Sequence, residues 1–295
     1  MKNILLLGTN NFFYKNLKSY IKIKKINYNI DYLKDEKIIS SKHEKEINKI
    51  KLRKFNLIII VGGLSGGILF NINNSFKILS YNSFLYDKIF SLIKSIRSDK
   101  IIYMSASCVY PKYIKKKIKE NDFMNGEIEA TSFGYSVSKI IGHAYSKILK
   151  KKNITVAIPA TIFGKGDFKV NKNSHVINSI ISKMLKRKNV TLWGSGKPRR
   201  EFIYIYDLLN AIFFIYENNI NDKILNIGSN KDFSIKELVK VLKKILNFKG
   251  KIKWDRSKPD GVYRKLLDTS KLFSYGWRPQ HTLDEALKQI KYDNF

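Results

Sequence analysis

The 295 residues predict an α/β protein with a Rossmann-like, doubly wound parallel sheet and a smaller C-terminal lobe. Short apolar runs recur along the chain, each ends in a turn of small residues, and each leads into a longer amphipathic stretch. Uninterrupted apolar strands are what a parallel sheet requires, because helices cover both of its faces. In order, residues 4–8 read as a first strand followed by a helix over 13–22. Residues 57–61 end in Gly62-Gly63, residues 101–104 in Ser105-Ala106-Ser107, and residues 155–158 in Pro159. Ligands of such sheets sit at the carboxyl ends of the strands, where these turns fall.

Past Gly164 the rhythm changes. A helix over 176–188 precedes a strand at 190–193, the turn Gly194-Ser195-Gly196, a strand-like run at 201–205 and a helix over 208–218. Residues 224–227 read as one more buried strand, before a polar, Lys-rich remainder. The last third is thus partly a second lobe and partly a return to the sheet.

Composition narrows the class. A hydrophobic fraction of 44%, with 18 Phe and 17 Tyr, supplies a packed core. The net charge of +32 comes from Lys spread over the whole chain rather than gathered in one stripe, so a solvated basic surface is expected and a nucleic-acid partner is not. A positive field of this size favours an anionic substrate such as a diphosphate. The single cysteine, Cys108, excludes an intramolecular disulfide and a thiolate metal cluster, so a reducing cytoplasm and no metal are expected. The first apolar run is four residues long and no later one reaches the ~20 needed for a span, so neither a leader nor a membrane helix is expected.

The chemistry concentrates at Tyr135-Ser136-Val137-Ser138-Lys139. A Tyr and a Lys four apart share one helix face, and an ammonium so placed is expected to lower the phenol pKa and make Tyr135 a proton donor or acceptor near neutrality. The pair follows Ser107-Cys108-Val109-Tyr110 in the order strand end, then helix.

Met104-Ser105-Ala106-Ser107-Cys108-Val109-Tyr110-Pro111-Lys112, with Tyr135 to Lys139, resembles the catalytic half of the extended short-chain dehydrogenase/reductases of the NAD-dependent epimerase/dehydratase family. Asn173-Ser174-His175-Val176-Ile177, Trp193-Gly194-Ser195-Gly196-Lys197-Pro198-Arg199-Arg200-Glu201-Phe202, Ser257-Lys258-Pro259-Asp260-Gly261 and Arg264-Lys265-Leu266-Leu267-Asp268 are similar to GDP-L-fucose synthases in particular. The resemblance implies an NADP(H)-dependent enzyme that epimerises a GDP-4-keto-6-deoxy-mannose beside its ketone and then reduces the ketone. Tyr135 would protonate the keto oxygen, Lys139 would hold the nicotinamide ribose, and Cys108 and His175 would move the protons, with Ser107 beside them. Gly8, Asn10, Asn11, Phe12, Lys34, Pro159, Ile162 and His175 would join Lys139 around the dinucleotide. Lys183, Trp193, Arg200 and Asp260 would face the GDP-sugar. Residues 1–165 would bind NADP, with 201–230 returning to that domain, and 166–200 with 231–295 would form the substrate-binding lobe. A homodimer is implied as well.

Some positions depart from the family pattern. The phosphate turn keeps Gly8 but has Asn11 and Tyr14 at its other glycine positions; Ala106 stands where a Ser or Thr hydroxyl would meet the substrate carbonyl; Thr161 replaces an Asn. A left-handed Asn11, a helix shifted by Tyr14, and substitution by Ser105 or Ser107 are the expected accommodations. A catalytically impaired or non-catalytic sugar-nucleotide-binding relative stays open as the alternative.

Overall fold

The computed structural model describes residues 1–8, 11–113, 116–166, 176–258 and 260–294. Among these the strands are β1 (Lys2–Leu7), β2 (Tyr28–Leu33), β3 (Lys54–Ile60), β4 (Arg97–Met104), β5 (Ile154–Pro159), β6 (Thr161–Phe163), β7 (Val190–Trp193), β8 (Arg199–Tyr204), β9 (Ile224–Ile227), β10 (Asp232–Ser234), β11 (Ile252–Asp255) and β12 (Arg264–Lys265). The helices are α1 (Asn11–Ile23), α2 (Asp35–Ile39), α3 (Glu44–Lys51), α4 (Ile68–Asn73), α5 (Ser75–Ser95), α6 (Phe133–Ile148), α7 (Val176–Lys186), α8 (Ile205–Glu217), α9 (Ile235–Ile245), α10 (Ser270–Ser274) and α11 (Leu283–Asn294).

Six strands form one wholly parallel sheet in the order β2-β1-β3-β4-β5-β9. The apolar runs become its centre: Ile4 to Leu7, Leu57 to Ile60 and Ile101 to Tyr103 are fully removed from solvent. Each buried Leu or Ile contributes about 1.5–3 kcal/mol of transfer free energy. The edge strand β2 is only half-buried, so its sequence, YNIDYL, lacks the apolar run of its neighbours. Helix α5 packs against α6 and α1 against α8. The chain leaves β1 for β2 on one side and returns to β3 on the other, which puts the switch in strand order between β1 and β3.

The remaining strands lie apart from this sheet. β8 pairs antiparallel with β10 and parallel with β12 and β6, and β7 pairs with β11. Of the stretch 201–230, β9 joins the large sheet alongside β5 and α8 packs on α1, while β8 lies in the smaller sheet. The reason is polar. Buried Glu201 on β8 accepts hydrogen bonds from the Leu267 and Asn230 backbone nitrogens at 2.8 and 2.7 Å. Asp232 on β10 bridges Arg199 at 3.2 Å and Arg264 at 2.5 Å. Those groups need neighbouring strands as partners, which helices packed on the large sheet would not supply. No helix among the described residues is long and apolar enough to cross a membrane.

Candidate active site

The crevice floor is bare backbone. Gly8 has φ +122°, and a Cβ there would lie 2.1 Å from the Gly62 nitrogen, so the ends of β1 and β3 touch where only glycine fits. This is the switch point at which doubly wound sheets bind their ligands. Helix α1 starts at Asn11 and has no acidic residue in its first turn, so its N-terminus suits an anion. The expected left-handed Asn11 is corrected, since it stands as the first helical residue. Tyr14 is accommodated by stacking on Tyr32 at 4.4 Å and 21°. Asn16 fixes the same turn by donating to the Phe12 and Lys165 carbonyls at 2.8 and 2.9 Å. These residues fit a dinucleotide pyrophosphate. Lys34, the residue before α2, is exposed, and Asp35 beside it is buried and hydrogen-bonded with Tyr81. Asn10 and His175 lie outside the described residues.

Beside this floor, reached by Phe12 on α1 and by Ser65 and Gly66 after β3, lies a cleft of about 1250 Å³. Phe12, Ser107, Cys108, Tyr135, Pro159, Ile162, Lys183, Trp193, Arg200 and Asp260 all line it, so the structure brings together expected residues from both parts of the chain. Gly8, Asn11 and Lys34 are not among its lining.

Helix α6 carries Tyr135 and Lys139 into place against β4. A Cβ at Gly142 would fall 2.2 Å from the Tyr103 ring, so the helix sits closer to the sheet than any side chain at 142 would permit. The Tyr103 hydroxyl donates to the Lys139 carbonyl at 3.1 Å, and the buried Lys139 Nζ donates to the Met104 carbonyl at 2.9 Å and the Gly62 carbonyl at 3.4 Å. The rings of Tyr86, Tyr103 and Tyr135 surround that ammonium at 5.2, 5.4 and 5.6 Å.

The expected acidity of Tyr135 is corrected by this geometry. Burial pushes its phenol above the ordinary range, Cys108 adds to the rise, and a hydrogen bond with Ser65 opposes it. Lys139 is itself driven down to about 8 by burial, offset in part by Cys108 and Asp35, and it lies over the face of the phenol ring while spending its donors on backbone oxygens. At neutral pH the pair is therefore a protonated phenol beside an ammonium, arranged to donate a proton rather than to take one.

Cys108 is likewise pushed up by burial, against the pull of Lys265, a Ser136 hydrogen bond and Lys139. It rests as a thiol. Ser105 is withdrawn from the cleft chemistry by His143, whose Nε2 lies 2.8 Å from its hydroxyl and whose imidazole burial holds neutral, down at about 3. Ser107 lines the cleft and also a small adjoining pocket with Thr161, Glu201 and Lys265.

At the far end, Lys183, Lys186, Arg187, Arg200 and Lys265 line the cleft against two carboxylates, Glu129 and Asp260, so its potential is positive. Adjacent arginines divide their roles. Arg199 pairs with Asp232 and, at 3.1 Å, with Glu237, within the small sheets. Arg200 turns to the cleft, its guanidinium braced on the Val262 and Arg199 carbonyls at 2.6 and 2.8 Å. Asp260 receives the Ser195 amide and hydroxyl at 2.8 and 2.6 Å, which ties the turn after β7 to the strand leading into β12. Lys183 donates to the Thr191 carbonyl at 3.3 Å, and half-exposed Trp193 lies under Lys258 at 5.9 Å. Sequence reasoning missed Ser65, which reaches the site from the loop after β3, and Lys265, which reaches it from β12; a Gly-Gly-Leu-Ser-Gly-Gly loop following an apolar strand was the available signal for the first.

A glycine-floored switch point joined to a Tyr-x-x-x-Lys helix defines a doubly wound α/β fold of the dinucleotide-binding type. The chain belongs to the NAD dependent epimerase/dehydratase family, whose model matches residues 37–228. It is 32% identical to the GDP-L-colitose synthase of Yersinia pseudotuberculosis over 97% of this chain and 96% of that protein. It is 32% identical to the GDP-L-fucose synthase of Sinorhizobium fredii over 88% of this chain and 86% of that protein. The solved GDP-L-fucose synthetase of Naegleria fowleri superposes with a TM-score of 0.85 at 21% identity, over 99% of this chain and 94% of that one, which supports the fold.

Proposed function

We propose that this protein is a cytoplasmic, homodimeric epimerase-reductase that converts a GDP-4-keto-6-deoxy-mannose type sugar to a GDP-deoxy sugar with NADPH. The observation that carries it is Tyr135 on the wall of a basic cleft beside the switch point, with the buried Lys139 ammonium held one helical turn away. Both relatives at 32% identity are named for GDP-linked sugar products. Residues 1–165, with 201–230, form the dinucleotide side of the enzyme, and 166–200 with 231–295 the sugar-nucleotide side. Gly8, Asn10, Asn11, Phe12, Lys34, Pro159 and Ile162 hold the cofactor, which supplies hydride when bound. The exposed apolar side chains of Ile68, Ile72 and Phe76 on neighbouring helices support pairing with a second copy.

The chain's own residues take the other roles. Lys139 fixes the ribose with its ammonium and favours the Tyr135 phenolate that remains after proton donation. Tyr135 hands its proton to the keto oxygen. Cys108, a thiol at rest, returns a proton to the carbon beside the ketone, and His175 removes one. Arg200 and Lys183 meet the diphosphate, for which a guanidinium fork is the better geometric match.

Purified protein offered GDP-4-keto-6-deoxy-mannose should consume NADPH, read as loss of its absorbance, with product stereochemistry reporting epimerisation. Absence of turnover with either NADPH or NADH would sink the reading. Ala106 favours a second reading, a non-catalytic sugar-nucleotide-binding relative, for which calorimetry would find GDP-sugar binding without NADPH binding.

A further inference from the structure

Just past β4, Ala106 lines the cleft with a methyl group that donates nothing, between Ser105 and Ser107, which line it too. A hydroxyl lines the same cleft from another element. Ser65, in the loop between β3 and α4, is partly exposed and lines the cleft together with Ala106 and Tyr135. Hydrogen bonding from Ser65 opposes the rise that burial gives the Tyr135 phenol.

The loop is held on both sides of Ser65 by other residues. Asn82 on α5 accepts from the Leu64 amide at 2.6 Å and donates to the Leu64 carbonyl at 3.0 Å, and Asn71 on α4 accepts from the Gly66 amide at 3.0 Å. Asn82 also donates to the Ser138 hydroxyl at 3.1 Å, and Ser138 lies on α6 between Tyr135 and Lys139. Upstream, the Gly62 carbonyl accepts from both Tyr86, at 2.9 Å, and Lys139. The loop is therefore fastened to the catalytic helix, and its shape does not depend on the Ser65 hydroxyl. Two hydroxyls that line one cleft, one on the loop and one on the helix to which that loop is fastened, can both donate to a single oxygen placed between them.

We propose that Ser65 is a catalytic hydrogen-bond donor, whose hydroxyl holds the carbonyl oxygen of the sugar ketone together with Tyr135 and takes the place that Ala106 vacates. This rests on the reductase reading. In the reduction the carbonyl carbon gains hydride with oxidation of the nicotinamide, the π pair moves to oxygen, and the Tyr135 proton follows it. Ser65 keeps its own proton and stabilises the charge that develops on oxygen. Ser105, bonded to His143, does not serve.

The test compares the wild type, Ser65→Ala and the double variant Ser65→Ala/Ala106→Ser by NADPH oxidation with the GDP-keto sugar. Ser65→Ala should lose on the order of 10²–10³ in kcat with KM changed by less than about threefold, because the interaction strengthens in the transition state. Returning a hydroxyl at 106 should recover at least about tenfold of that loss. A Ser65→Ala enzyme within about threefold of the wild-type kcat overturns the inference alone, whereas a wild type that never oxidises NADPH removes it together with the reductase reading. GDP binding by calorimetry guards against a folding artefact: if Ser65→Ala loses it, or if the double variant recovers nothing, Ser65 is a structural residue and the inference falls.

Discussion

Along the β4–α6 wall of the crevice the polar atoms are tied to one another, whereas along the β1–α1 wall one buried Asn and an aromatic stack set the geometry. Lys139 alone joins α6 to the ends of β4 and β3, through Met104 and Gly62, and Tyr103 and Tyr86 brace the same backbone. Across the floor, Asn16 anchors α1, and Tyr14 lies on Tyr32. The difference teaches where sequence change is tolerated. A wall that must place a proton donor to within a few tenths of an ångström is fixed by several bonds at once, while a wall that presents backbone to a phosphate keeps its form when individual side chains change.

Five substitutions sharpen or break that contrast. The largest effect belongs to Tyr135→Phe, which should cost on the order of 10³ in kcat while GDP binding measured by calorimetry stays intact. Equal losses of binding would mean that the wall is structural rather than chemical. Next, kcat should fall as pH rises through about 8, where Lys139 loses its proton; below that pH the ammonium is charged and above it neutral. Lys139→Arg, whose guanidinium stays charged, should abolish this limb in a pH-rate profile, and an unchanged limb assigns it to another group. Arg200→Ala should raise KM for the GDP-sugar by about 10–100-fold, since charge-assisted bonds to phosphate contribute roughly 1.5–3 kcal/mol. Arg199→Ala should leave KM alone and lower the melting temperature, and reversal of the two would overturn the division of roles. The smallest effect is expected at Tyr14→Ala, a loss of about 1 kcal/mol of stability with NADPH affinity changed by less than about threefold. A large gain in affinity would show that the ring obstructs the cofactor.

The sheet was legible because full burial on both faces writes itself as an apolar run, and β1, β3, β4, β5 and β9 each carry one. β2 escaped that signal, being a half-buried edge strand. β8 was legible as a strand but not in its placement, since an apolar Phe-Ile-Tyr segment does not disclose that the buried carboxylate before it is capped by Leu267 and Asn230. At the site, Tyr135, Lys139, Cys108 and Arg200 were marked by motifs. Their electrostatics were not, because helical spacing reveals who is near whom but not how much solvent is excluded, and desolvation reverses the acidity that proximity alone would give Tyr135. Ser65 stayed hidden for a related reason: its distance from Tyr135 along the chain says nothing until α5 fastens the loop to α6.

The missing side chain at Gly142 reaches further than its size suggests. It lies three residues beyond Lys139 and seven beyond Tyr135, on the flank of α6 that rests upon Tyr103. The thickness of that contact acts as a shim under a lever: adding one methyl group there would tip the far end of the helix and move the phenol relative to everything bolted to the sheet. Reactivity could thus drift, or be retuned by an engineer, through a position that no substrate ever meets.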